Sequence, residues 1–134
     1  MDPVSIASLV KTSLTLAHTV LGYIADAYAA TGERKRLFDE VSSTQDLLTQ
    51  LSQKSDEARW GDTMKVLATD RGPLRQLEKA LRGLEERLRP SDSRLKSFGK
   101  ALKWPFDKKE IEAIVASLER SKSLLTLALQ RDLM

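Results

Sequence analysis

The stretch from Pro3 to Ala30 constrains the fold more than any other part of the chain. It keeps helical periodicity for about eight turns, and only Asp2, Lys11, His18 and Asp26 in or beside it can carry charge. At the ideal ~100° per residue, Ile6, Leu9, Val10, Leu14, Leu16, Ala17, Val20, Leu21, Ile24, Ala27 and Tyr28 fall on one broad arc. Ser8, Lys11, Thr12, Thr15, His18, Thr19, Gly22 and Asp26 take the remainder. A helix surrounded by lipid is apolar all round, so this split predicts one face packed against protein. The opposite face is mostly Ser, Thr and Gly, whose hydroxyls can bond back to helix carbonyls, so burying it costs far less than burying Lys or Glu. Two destinations stay open for such a helix, a bundle core and a membrane. Asp2 before Pro3 gives the N-cap and N1 pairing, and Gly32 is expected to end the helix in a left-handed cap. The acidic start and the length of the apolar run argue against a secretory signal peptide.

With 134 residues the chain reads as one domain, large enough to bury a core without metals or disulfides. Cysteine is absent, which removes disulfides, thiol catalysis and cysteine metal sites. Aromatics are only 5% of the residues, and Leu, Ala, Lys, Arg, Glu and Ser dominate, so the composition predicts an all-α fold. The net charge of +3 is unevenly spread: residues 71 to 109 hold twelve cations against five acids, and the other segments are slightly negative.

The rest of the chain reads as a succession of helices. A second helix is expected over 33–54, with Leu37, Phe38, Val41, Leu48 and Leu51 on one face, Thr44 and Gln45 interrupting it, and Glu33, Asp39, Glu40 and Asp46 on the surface beside Arg34, Lys35 and Arg36. A short helix over 62–68 follows, with Trp60 anchoring the connection. Pro73 opens a third main helix, in which Leu74, Leu77, Leu81, Leu84 and Leu88 make a narrow stripe and Glu78–Arg82 and Glu85–Arg89 are four apart. Pro90 ends it. A shorter helix over 93–103 runs into the corner Trp104-Pro105-Phe106. Asp107 then caps the last helix, with Glu110 at capping-box spacing and a stripe of Ile111, Ile114, Val115, Leu118, Leu125, Ala128 and Leu129. The expected architecture is a helical bundle of four main helices plus one or two short ones, with the first helix near its centre and the last packed along it.

No catalytic constellation is legible. His18 has no second histidine or cysteine and no carboxylate one turn away. The hydroxyls lack an activating base, and Gly99-Lys100 stands without the upstream glycine of a phosphate loop. We therefore expect neither an enzyme nor a metal or other cofactor. The basic region, with Arg71, Arg75, Lys79, Arg82, Arg94, Lys96, Lys100, Lys103, Lys108 and Lys109 as a candidate patch for anionic lipid, suits phosphates of membranes or nucleic acid. No helix-turn-helix spacing or RNA-binding signature accompanies it, which ranks lipid above nucleic acid.

Four stretches carry a family resemblance: Met1-Asp2-Pro3-Val4-Ser5-Ile6, Glu33-Arg34-Lys35-Arg36-Leu37, Gly72-Pro73-Leu74 with Gln76 and Leu77, and the run from Leu102 through Trp104-Pro105-Phe106-Asp107-Lys108-Lys109-Glu110. The last continues through Leu118-Glu119-Arg120 to Lys122-Ser123-Leu124-Leu125 and Leu127-Ala128-Leu129-Gln130. Together they resemble the HeLo-like N-terminal domain of fungal STAND (NOD-like receptor) proteins. The resemblance implies a cell-death or incompatibility effector domain at the head of a longer receptor of innate immunity, cytoplasmic at rest and recruited to membrane on activation. It implies proximity-driven homo-oligomerisation, and a first helix that acts on membranes. Carried onto this chain, that helix is represented by Ile6, Leu9, Val10, Leu14, Leu16, Val20, Leu21 and Ile24. The implied partners are further copies, anionic lipids and receptor domains in cis. The alternative is an adaptor bundle that binds another protein and never meets a membrane.

Overall fold

Helices account for nearly all of what the computed structural model describes, residues 3–26, 32–54, 69, 71–89 and 106–133. They are α1 (Pro3–Asp26), α2 (Gly32–Lys54), α3 (Pro73–Leu88) and α4 (Lys108–Leu133), with no strand among the described residues. The expected all-α bundle of four main helices is the fold. The short helices expected over 62–68 and 93–103 and the Trp104-Pro105 corner lie outside the described residues.

Local chemistry explains the boundaries. Pro73 occupies N1 of α3 behind an extended Gly72, and the Gln76 N–H donates to the Gly72 carbonyl at 3.0 Å. At the other end the Arg89 N–H donates to the Glu85 carbonyl at 2.9 Å. The start of α4 is a reciprocal capping box: the Glu110 N–H donates to Asp107 Oδ1 at 2.7 Å, and the Asp107 N–H to Glu110 Oε1 at 3.3 Å. Gly32 differs from expectation, being the first residue of α2 and not a cap on α1. Glu33 follows it in the first turn, where a carboxylate favours the helix amides.

Packing corrects the expected arrangement. α1 packs on α2 and α3, and α4 also packs on α2 and α3, so the first and last helices occupy opposite corners. Lys122 of α4 meets Glu40 and Ser43 of α2, and the groove between these helices continues to Gln50 and Gln130, so both run in the same direction. A corner position suits α1 because its apolar arc is broad enough to face two neighbours. The core is aliphatic: Val10, Ala17 and Val20 of α1, Leu37, Leu48 and Leu51 of α2, the five leucines of α3, and Ile111, Leu118 and Leu125 of α4 are buried. Thr44, which interrupts the apolar face of α2, is fully buried because its hydroxyl donates to the Glu40 carbonyl at 2.8 Å.

The α3 stripe gives a direct test of this packing. Leu81→Ala should cost about 2–5 kcal/mol, read as a lower denaturant midpoint with an unchanged slope, whereas Gly83→Ala, open to solvent with nothing near a new Cβ, should stabilise slightly.

Candidate functional site

The membrane-helix residues chosen from sequence divide by depth. Leu9, Val10, Val20 and Ile24 are buried, while Leu14, Leu16 and Leu21 are half-buried at the edges of the arc. Ile6 lies in α1, but its side chain is outside the described residues. Ser8, Lys11, Thr15, His18, Gly22 and Ala25 form the exposed face, where the Thr15 hydroxyl donates back to the Lys11 carbonyl at 3.0 Å. The Ser13 hydroxyl is fully buried and lacks a hydrogen-bond partner, a state that costs about 1–3 kcal/mol. Among the described residues, no helix is long and apolar enough to cross a membrane.

Two polar ties join described residues of different helices. Lys122 Nζ lies 2.8 Å from Glu40 Oε1 and donates to Ser43 Oγ at 2.9 Å, joining α4 to α2 at a site where both charged side chains are largely covered. Glu40 was expected on the surface; burial next to Lys122 corrects that. At the other junction Arg87 of α3 pairs with Glu110 of the α4 capping box and places its guanidinium 4.3 Å from the centre of the buried Phe106 ring. Hydrogen bonding from Arg87, then the backbone bond at Asp107, holds the Glu110 carboxyl below the ordinary carboxylate range. Glu85 is lowered likewise by its bonds from Arg89. By contrast, no described side chain of α1 makes a hydrogen bond or ion pair with another helix.

The basic patch separates into two groups. Arg71, just before α3, and Lys79 are exposed and Arg75 is half-buried, the last two one turn apart on the first half of α3, with no ion pair among the described residues. Arg82 is engaged by Glu78 at 2.7 Å. Lys108 and Lys109 are exposed at the start of α4, beside the far end of α3. Arg94, Lys96, Lys100 and Lys103 lie outside the described residues.

Between them, α2 and α4 flank an open groove of about 900 Å³. Leu47 and Leu127 supply its apolar part, Asp46 and Glu119 its free carboxylates, and Gln50 and Thr126 some of its neutral polar groups. No group of His, Asp and Glu able to hold a metal occurs among the described residues. No family model, curated protein or solved structure matches this chain.

Two predictions test the ties. Lys122→Met alone should cost about 1–3 kcal/mol by leaving Glu40 covered and unpaired, while Lys122→Met with Glu40→Leu should recover much of it in a double-mutant cycle. Because Glu110 has a folded pKa below its unfolded value of ~4.3, its stabilisation is present above that value and lost as pH falls through the lower folded value. Glu110→Gln should therefore be less stable than the parent at neutral pH, with the gap closing on acidification in urea melts.

Proposed function

We propose that this bundle is a signalling and cell-death effector domain that assembles when copies are brought together and then lays its first helix on an anionic membrane. One observation carries the reading: no described side chain of α1 makes a hydrogen bond or ion pair with another helix, whereas α2, α3 and α4 are joined by Lys122–Glu40 and Arg87–Glu110. Apolar burial is non-directional, so lipid can replace protein against that face. A polar tie would have to be broken at a cost. The buried, unpartnered Ser13 hydroxyl further lowers what α1 loses on leaving. Its outer face, with Lys11 and His18 among Ser, Thr, Gly and Ala, suits an interfacial position better than a transmembrane one. The resemblance of the Trp104 to Glu110 run and the N-terminal residues to the HeLo-like domain supports the same assignment. Recruitment from cytoplasm to membrane and a place ahead of receptor domains belong to this proposal.

The adaptor reading is favoured by a different observation, the burial of Leu9, Val10, Val20 and Ile24, which makes α1 a core helix at rest. Vesicle leakage separates the two. Chains clustered through a fused dimeriser should release dye from anionic vesicles. Leu14→Glu with Leu21→Glu, at half-buried positions and in protein verified as helical, should reduce release at least about tenfold given the cost of charge in lipid. Clustered parent protein that releases no dye would leave the adaptor.

A further inference from the structure

We propose that copies of this chain associate head to tail, the basic ridge of α3 in one copy entering the groove between α2 and α4 of the next. The inference rests on the assembly step of the reading above and gives it a surface.

Charge complementarity carries the argument. Arg75 and Lys79 lie one turn apart on α3, Arg71 just precedes its extended Gly72 cap, and none of the three makes an ion pair among the described residues. Across the molecule, the cation of the groove, Lys122, is already committed to Glu40 and Ser43. Asp46 and Glu119 remain as its uncompensated carboxylates, one on each wall. Between them, the 56% exposed Leu127 offers an apolar surface for the aliphatic stems of Arg and Lys. Carboxylates facing guanidinium groups over an apolar floor are what a basic helical ridge requires. Ridge and groove are built from different residues, the ridge from positions 71, 75 and 79 and the groove from α2 and α4. One copy can therefore use both at once, and the contact propagates from copy to copy instead of closing as a symmetric pair. An interface of this kind is small, so it acts once copies are held at high local concentration, with a solution Kd of ~0.1–1 mM.

Charge exchange tests it. The parent chain should self-associate in sedimentation velocity below about 1 mM at low salt and dissociate at high salt. Arg71→Glu with Lys79→Glu, and separately Asp46→Lys with Glu119→Lys, all at exposed positions, should each weaken association at least about tenfold. An equimolar mixture of the two variants should restore it, because each ridge then meets a groove of opposite charge. Parent chain monomeric at about 1 mM at low salt overturns the proposal. So does association that survives either reversal, through the α1 face or any other, and so does a mixture that stays dissociated. Vesicle leakage read in parallel separates this surface from the function: leakage by clustered parent without self-association rejects the ridge and groove alone, whereas charge-complementary assembly without leakage rejects the membrane step alone.

Discussion

Everything in this bundle depends on covering the broad apolar arc of α1 with two neighbours. Val10, Ala17 and Val20 have no exposure, and the surfaces that meet them come from helices whose own stripes are aliphatic. Phe106 is the one aromatic among the described buried side chains. Aliphatic packing of this kind stabilises strongly and specifies weakly. What specifies the arrangement is polar: Lys122 sets α4 against α2, and Arg87 with the capping box sets α4 against α3. Among its described residues, the first helix has stability from the core without a side-chain hydrogen bond or ion pair to a neighbour.

That asymmetry links the fold to the proposed activity. A helix held only by non-directional burial exchanges one apolar environment for another at lower cost than a helix that must also break charged bonds. The ties Lys122–Glu40 and Arg87–Glu110 use no residue of α1, so under the proposal the three remaining helices would stay joined as a platform carrying both the ridge and the groove.

Much of this could be read from local patterns. The leucine stripe of α3, Pro73 at its first position, the Asp107–Glu110 capping box and the Glu78–Arg82 and Glu85–Arg89 pairs all lie within one or two turns, where helical spacing fixes which groups meet. Glu40 was misassigned because its position on the wheel is marginal and its cation lies far along the chain, as the 79-residue separation of Ser43 and Lys122 illustrates. The same limit hid Arg87 over Phe106. Helical periodicity identified the broad apolar side of α1, yet which two neighbours cover it, and hence its corner position, is a property of the assembled bundle. Likewise the basic excess of residues 71 to 109 was visible as a sum, but its division between the start of α3 and the start of α4 follows from how the helices are laid side by side.

The central claim is that α1 can part from a bundle whose other helices stay joined. The chain has no cysteine, so spin labels can be attached to cysteines introduced at chosen exposed sites with no native thiol to remove. One labelled pair at His18 and Gln76 reports the distance from α1 to α3; another at Asp39 and Ala116 reports that from α2 to α4. With chains clustered on anionic vesicles, pulsed dipolar measurements should show the first distance lengthening and broadening from its resting value while the second is unchanged. An α1–α3 distance that keeps its resting value while the vesicles leak would contradict the account.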